Sequence, residues 1–438
     1  VITSEDIEAR PPANDLAELI RTMPGVNLTG NSASGQYGNH RQIDLRGMGP
    51  ENTLILVDGK PVSSRNSVRM GRSGERNTRG DTNWVPAEAV ERIEVLRGPA
   101  AARYGSGAAG GVINIITKAP GDYLTGSVTA YALAPEHGEE GNSKRLGFNL
   151  SGPLAGKLAF RVFGNVNKTD ADELALNATP ENTANGAIPP AGREGVRNRD
   201  IGGLLRWDFM PDQVLEFESN FSRQGNIYAG DRAVNAAGFP ILGELANAAA
   251  ETNVMLRRSA ALTHRGKWGA TTSRLWLTYE GTDNTRMNEG LAGGPEGSIS
   301  DPTKKSTSEL ETYGANGEIS TPLNVGGVAQ MLTAGFEARK EKLNDPYSMT
   351  QAATAIPGMP EGSRDGRSSA ETYAVYVEDN IGVNTAFTLT PGLRFADGEV
   401  PASAAATGAP ARLSSSGSGR SMIHSTAAMR AVAAPEMT

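Results

Sequence analysis

A short segment of the chain, residues 65–79, carries five arginines and is the strongest candidate for binding chemistry. Glu75 is the one acidic residue inside it, so the segment is strongly basic. Close pairs of opposite charge attract each other by roughly 1–4 kcal/mol, depending on exposure. The segment is therefore either an electropositive surface that binds an anion, or a solvated loop, or a set of arginines that pair with carboxylates elsewhere in the fold. We call it the arginine segment, and its basic residues are Arg65, Arg69, Arg72, Arg76 and Arg79.

A second candidate is the glycine motif Gly105-x-Gly107-x-x-Gly110, which matches the dinucleotide-binding fingerprint. That fingerprint needs a strand before the glycines and a helix after them, so that a phosphate lies at a helix N-terminus. Here a β-branched run, Val112 to Thr117, follows the glycines and predicts a strand. We therefore interpret these glycines as residues of a tight turn and of close backbone approach.

Other patterns of catalysis or metal binding are absent from the sequence. It has no cysteine, no HExxH, GxSxG or GxxxxGK[ST] motif, and four isolated histidines. The net charge of -7 argues against a nucleic-acid partner. No apolar run is long enough for a transmembrane helix, and the first residues lack leader features, so any leader is expected to have been removed. These observations predict neither an enzyme nor a resident metal or other cofactor.

Three stretches of the N-terminal region carry a family resemblance. Glu91 to Lys118, Leu45 to Gly49 (LRGMG) and Leu54 to Val62 (LILVDGKPV) resemble the plug domain of TonB-dependent outer-membrane receptors. The resemblance is to ferric enterobactin (catecholate siderophore) receptors in particular, and it extends over roughly residues 1 to 395. It implies a small mixed α/β plug domain at residues 1–120 in front of an all-β transmembrane barrel. Independently, the helical spacing of Asp15, Leu16, Leu19 and Ile20 predicts a short helix within residues 4–22.

From Leu124 onward the sequence has the texture expected of such a barrel. Apolar Leu215, Phe217 and Phe221 alternate with Glu216 and Glu218, and similar alternation recurs along the chain. Alternation alone also fits a soluble sheet. Short turns that alternate with long connections are typical of outer-membrane barrels. The predicted turns lie near 153–155, 210–212, 265–267 and 382–384, and the long connections near 170–199, 225–254, 283–307 and 343–371.

About eleven strands are predicted between Leu124 and Phe395, whereas plugged transporters close with about 22. Residues 121–396 are thus expected to form the N-terminal half of a barrel. Residues 397–438 are rich in Ala, Ser, Gly and Pro without alternation, which predicts a disordered or aberrant tail from a frameshift or truncated gene. The family's TonB-contacting segment, which precedes the plug, is expected to be missing from the chain.

The resemblance directs attention to further binding residues. Tyr228 matches the entry of the family's third loop, Arg257 a basic position where that loop returns, and Arg286 a basic position in the fourth loop. Each is expected to contact an anionic aromatic ligand through charge and cation–π interactions. The alternative for each is a solvated loop residue. Arg46 and Arg97, within plug strands, are expected to pair with carboxylates of the barrel wall.

The function that the resemblance implies is TonB-dependent uptake of a ferric siderophore of the catecholate class across the outer membrane of a Gram-negative bacterium. The implied partners are the ferric siderophore, the TonB energy-coupling complex, outer-membrane lipid, and attaching phage or bacteriocins. Iron arrives already chelated, so the protein needs no cofactor. Three alternatives stay open: a receptor for another siderophore or a cobalamin-like ligand, a non-functional truncated fragment, and a soluble all-β binding or carbohydrate-active protein.

Overall fold

The chain folds into two sheets of very different size and two small ribbons. The smaller sheet lies within the predicted plug; the larger, which we call the wall, follows it. No helix in the described part of the chain is long and apolar enough to span a bilayer. The computed structural model describes residues 1–10, 15–29, 42–64, 84–98, 100–172, 194–227, 251–289, 299–344, 347–349, 362–364, 367–384 and 387–399.

The plug is a mixed sheet with three short helices. The elements are β1 (Ile2–Thr3), α1 (Ser4–Glu8), α2 (Leu16–Ile20), β2 (Val26–Thr29), β3 (Gln42–Leu45), β4 (Thr53–Val57), β5 (Lys60–Pro61), β6 (Val90–Arg97), α3 (Ala101–Tyr104) and β7 (Gly111–Thr117). The strands lie in the order β1-β6-β7-β4-β5, with β4 parallel to β7, and β2 and β3 form a separate ribbon.

Local sequence explains where these elements start and turn. A capping box between Thr3 and Asp6 begins α1, and the Asp15 side chain caps α2, so two short helices replace the single predicted one. Asp58 and Gly59 both have positive φ, 50° and 73°, as the tight hairpin between β4 and β5 requires. The hairpin predicted at this Asp-Gly pair is confirmed.

The glycine motif is a turn between a helix and a strand. Helix α3 precedes Gly105, which has a φ of +84°, and β7 follows the motif. This order is the reverse of the dinucleotide fingerprint, so the interpretation as a turn is confirmed. At Gly111 the φ is +146°, and a Cβ there would overlap the carbonyl oxygen of Leu96. The backbones of β6 and β7 approach each other closely only because this residue has no side chain.

We expect the Gly111→Ala substitution to destabilise the plug by at least about 1–3 kcal/mol, because strained φ and steric overlap add together. Gly121→Ala is the matched control, since a Cβ at Gly121 meets nothing within 4 Å and its φ is ordinary. Urea unfolding followed by the fluorescence of buried Trp84 measures the difference. Equal midpoints for the two variants would contradict this account of Gly111.

The wall is an antiparallel meander whose neighbours in sequence are neighbours in the sheet. Both β20 (Thr388–Leu389) and β21 (Gly392–Glu399) pair with β19 (Arg367–Gly382), so the twelve strands of the wall occupy eleven positions, as predicted. Strand β21 continues through Glu399, past the predicted end of the barrel part at 396. The remaining tail, 400–438, lies outside the described residues. The strands are β8 (Thr125–Leu133), β9 (Ser143–Ala155), β10 (Leu158–Thr169), β11 (Gly195–Met210), β12 (Gln213–Ile227), β13 (Glu251–Trp268), β14 (Thr271–Glu289), β15 (Ile299–Val325), β16 (Val328–Asn344), β19 (Arg367–Gly382), β20 (Thr388–Leu389) and β21 (Gly392–Glu399), with a ribbon of β17 (Tyr347–Met349) and β18 (Gly362–Arg364) between β16 and β19.

The wall has two different ends. At one end, the turn end, pairs of residues join the strands at 156–157, 211–212, 269–270 and 326–327. At the other, the loop end, the long connections begin and finish. Two predicted turns, 153–155 and 265–267, are displaced by a few residues, and the connection predicted at 283–307 is shorter, because β14 runs to Glu289 and β15 starts at Ile299. The strands are longer than predicted because their backbone hydrogen bonds continue into polar stretches whose composition is typical of loops.

The burial pattern of the wall is inverted relative to a soluble sheet. Phe217, on the outward face of β12, is 51% exposed, whereas the neighbouring Glu218 is 8% exposed. Arg161 and Gln224 are likewise buried on the inward face, which contacts the plug. A soluble protein in water would bury the apolar face instead. The soluble all-β alternative is therefore wrong.

Candidate functional site

Most of the predicted ligand-binding residues lie outside the described part of the chain. This applies to Arg65, Arg69, Arg72, Arg76, Arg79 and Tyr228. Arg286 was predicted in a loop, but its backbone lies in β14 opposite Asn253, near the loop end; its side chain is also outside the described set. What the structure does define is how the two flanks of the arginine segment are held.

One ion pair of the wall contacts both flanks of the arginine segment. Arg257 donates to Glu280 at 2.7 Å, and both side chains are nearly buried. On the N-terminal flank, the N–H and hydroxyl of Ser63 donate to the same Glu280 carboxylate at 3.1 and 3.0 Å. On the C-terminal flank, the guanidinium of Arg257 lies 5.3 Å from the Trp84 ring centroid. We call Ser63, Trp84, Arg257 and Glu280 the flank clamp.

The prediction that Arg257 lies at a loop return is wrong. It lies within β13, faces the plug and is 8% exposed. The pairing of β13 with β12 begins at Glu251, six residues before Arg257, and runs through sequence that resembles a loop. An aromatic group from the plug itself, Trp84, occupies the cation–π position expected for a ligand.

Before the arginine segment, the plug chain runs along the wall from the turn end towards the loop end. Asp58 accepts a hydrogen bond from Arg274, and Lys60 binds Glu218 at 2.5 Å. The strand register gives each wall partner an equivalent position on β13. For the partners of Asp58, Lys60, Ser63 and Trp84, these positions are, in the same order, Arg265, Ala261, Ser259 and Arg257. Since β13 starts at the loop end, this order runs from the turn end towards the loop end. Both flanks of the arginine segment are thus fixed on the loop-end side of the plug.

Further polar contacts seat the plug against the wall. Glu88 of the plug accepts from Arg145 of β9 at 2.5 Å, and both side chains are buried. At α3, Arg103 donates to Glu318 at 2.9 Å. Burial raises the pKa of the adjacent Tyr104, while the Arg103 guanidinium acts in the opposite direction. The interface is therefore built from charges as well as apolar contacts.

Two plug arginines do not form the predicted ion pairs with the wall carboxylates that the structure describes. Within the described residues, neither Arg46 nor Arg97 forms an ion pair with a wall carboxylate, and the Nε of Arg97 is buried with no hydrogen-bond partner there. Arg46 lies in the turn after β3 with a φ of 61°. Lys60 and Arg103 supply the plug cations instead.

A small polar cavity of about 70 Å³ lies between the plug and the wall beside the flank clamp. Lys60, Glu218, Arg257 and Glu280 are among its lining residues, together with Trp84. Such a space accommodates a few water molecules. Sequence reasoning missed Trp84 and Glu280 as site residues. Alternation along β14 places Glu280 on the polar face, but no sequence signal pairs it with residues about 200 positions earlier.

Comparison with known proteins agrees with this architecture. Residues 1–112 match the family described as TonB-dependent Receptor Plug Domain, and residues 188–417 match TonB dependent receptor-like, beta-barrel. The second match extends into the predicted tail. The domain limits predicted at 120 and 396 stay predictions.

Several individual relatives are similar over nearly the whole chain. The ferric enterobactin receptor PirA of Pseudomonas aeruginosa is 58% identical over 401 residues, 91% of this chain and 54% of that protein. The ferrienterobactin receptor of Escherichia coli is 50% identical, over 90% of this chain and 54% of that protein. A crystal structure of a mutant ferric enterobactin receptor from P. aeruginosa in complex with enterobactin is 54% identical, with a TM-score of 0.79, and covers 91% of this chain and 57% of that one.

This chain spans about half the length of the curated relatives that it matches. Over that span, the plug sheet, the polar plug–wall contacts and the inverted burial of the wall accompany both domain matches. The chain belongs to the family of TonB-dependent receptors.

Proposed function

We propose that the protein carrying this chain is a receptor that takes up a ferric catecholate siderophore of the enterobactin class. The observation that carries the proposal is the attachment of both flanks of the arginine segment to Arg257 and Glu280, on the loop-end side of the plug. This attachment supports the proposal that the five arginines of the 15-residue segment face the space between the long connections, where an anionic ligand would enter. The relatives named as ferric enterobactin receptors support this ligand class.

The chemistry required is capture rather than catalysis. A ferric catecholate complex is multiply anionic and aromatic, so guanidinium groups bind it by charge and by stacking on its rings. Arg286 and Tyr228 are proposed to contribute at the loop end. The iron is held by its siderophore and is part of the substrate, so the protein acts as a receptor and not as an enzyme.

The outer membrane of a Gram-negative bacterium is the proposed location. The outward apolar side chains of the wall, such as Phe217 and Leu277, suit a hydrocarbon environment. Energy from TonB is proposed to release the plug contacts so that the ligand passes. Attachment of phage or bacteriocins to the long connections is a further proposal, for which the sequence resemblance is the support.

The proposal is tested by binding at two ionic strengths. We expect Arg72→Gln with Arg76→Gln to weaken ferric enterobactin binding at least about tenfold at low salt, since each lost close pair is worth roughly 1–4 kcal/mol. The loss of affinity should be smaller at 0.5 M salt, because the screening length there is about 4–5 Å and exposed charge pairs attract each other less. Intrinsic fluorescence quenching of full-length protein gives the affinities.

Lys340→Gln with Lys342→Gln is the matched control, because it removes the same charge from exposed positions on the outward face of β16. Unchanged affinity in the arginine variant would contradict the proposal. Binding of a ferric hydroxamate as tightly as ferric enterobactin would favour a receptor for another siderophore.

A further inference from the structure

A row of basic side chains crosses the outward face of the wall near the loop end. Four neighbouring strands, β9 to β12, contribute to it. On these strands the outward basic residues are exposed or, for Arg197 and Arg223, partly exposed, whereas the residues between them are buried against the plug side. We call this set the basic row; it consists of Lys144, Lys168, Arg197, Arg199 and Arg223.

The strand register places like charges directly opposite one another in the basic row. Lys168 pairs with Lys144 on one side and with Arg197 on the other. Arg199 pairs with Arg223. Like charges directly opposite each other across strands are destabilising. The basic row contains three such pairs, so a bound anion would reduce their mutual repulsion.

Acidic neighbours only partly compensate the basic row. Arg223 binds Glu251 at 2.5 Å, and Arg197 shares that carboxylate at 3.8 Å. Lys168 pairs with Asp170 at 2.5 Å. Lys144 and Arg199 form no salt bridge with any described residue. Among the described residues, five cations against two carboxylates leave a net charge of +3 on this surface.

The basic row lies at the border of the outward apolar surface. On each strand, an apolar residue lies two positions from the basic row in the direction of the turn end. These residues are Leu146, Val166, Ile201 and Phe221, and they are between 43% and 54% exposed. Two residues along a strand correspond to about 7 Å. In a bilayer, the cations would therefore lie where the hydrocarbon ends and the headgroups begin.

On the other half of the wall, the outward charges among the described residues are balanced. Lys340 of β16 pairs with Glu371 at 2.5 Å, and Arg258 of β13 pairs with Asp283 at 2.5 Å. Glu309 and Glu311 of β15 lie beside Lys342 and Arg367, so cations and carboxylates are equal in number there. The excess of positive charge is thus specific to β9–β12 and is not a general property of the loop end.

We propose that the basic row binds the phosphate groups of lipid headgroups in the outer leaflet of the membrane. The inference rests on the outer-membrane location proposed above. A lipid, unlike a free anion, occupies both parts of the surface at once: its phosphate meets the cations, and its acyl chains cover Leu146, Val166 and Ile201. It also supplies the negative charge that the opposed cations lack.

Retention of phosphorylated lipid by purified full-length protein tests the proposal. Protein in dodecyl maltoside micelles containing dilauroyl phosphatidic acid is separated from free micelles, and lipid phosphorus per protein is measured. The variant combines Lys144→Gln, Lys168→Gln and Arg199→Gln. The control combines Lys340→Gln, Lys342→Gln and Arg258→Gln, which removes the same charge from the balanced half. Resistance of the barrel to unfolding in cold detergent confirms that each is folded, and single variants replace any that is not.

We expect the row variant to retain at least threefold less phosphatidic acid than the unaltered protein, while the control retains as much. Equal retention by all three, or loss in both variants, would overturn the inference. Displacement of the lipid by an equal concentration of inorganic phosphate would also overturn it, because a free-anion site would then suffice. The readout needs no siderophore, so a failure of the proposed ligand class leaves this result unaffected.

Discussion

Replacing Arg145 with methionine is expected to weaken seating of the plug by roughly 3–5 kcal/mol, the cost of leaving one member of a buried ion pair without its partner. Glu88 of the plug and Arg145 of the wall are both buried and lie 2.5 Å apart. Because the sequence contains no cysteine, Ser64→Cys supplies a single thiol at a buried plug position. The rate at which a thiol reagent labels this cysteine should rise roughly 100-fold or more when Arg145→Met is added, because the same loss of free energy makes the unseated plug more populated.

The exposed pair Lys340–Glu371 provides the comparison. Lys340→Met should change seating by less than about 1 kcal/mol, as is usual for surface ion pairs. Adding Glu88→Leu to Arg145→Met should restore much of the loss, since apolar replacement of both partners removes the stranded charge. A double variant no better seated than the single would show that the buried charge is not the cause.

Neutralising Glu280 is expected to weaken ligand binding about 5-fold to 100-fold without removing any ligand contact, the range typical of coupling between sites. Glu280 holds Ser63 directly and Trp84 through Arg257, so Glu280→Gln loosens both flanks of the arginine segment. Fewer molecules then hold the arginines in the binding arrangement. Fluorescence quenching by ferric enterobactin measures the loss.

Salt separates this effect from a direct contact. Buried pairs are screened far less than exposed ones, so the loss in Glu280→Gln should persist at 0.5 M salt, whereas that in the arginine segment should fade. Glu216→Gln is the control, because Glu216 is an inward carboxylate paired with Arg265 near the turn end. If the Glu280→Gln loss fades with salt, the clamp acts as a ligand contact rather than as a positioning device.

Local patterns in the sequence predicted those parts of the fold that depend on neighbours along the chain. The Asp58-Gly59 hairpin and the alternation along β12 follow from φ preferences and from period-two burial. The exact turn positions did not follow, because ladder pairing extends through polar residues at both ends of the strands. Composition records the apolar band of a strand, not the full length of its hydrogen bonding.

The site was less predictable because its contacts join distant parts of the chain. Arg257 looked like a loop cation, and only the fold shows that Glu280 and Trp84 surround it. The alternation of apolar and polar residues along β13 and β14 shows which charged side chains face inward. It does not show which of these contact the plug and which contact water. The candidate residues of the arginine segment rest on composition and resemblance.

The inverted burial of the wall has a consequence for how natural variants of this sequence should differ. Lipid is fluid and has no fixed shape, so an outward side chain such as Leu277 can be exchanged for another apolar residue without leaving a cavity. Inward residues such as Glu218 have specific partners, and their exchange strands a charge. Substitutions on the outward face should therefore keep apolar character while side-chain shape varies freely. On the inward face, the amino-acid identity itself should rarely change.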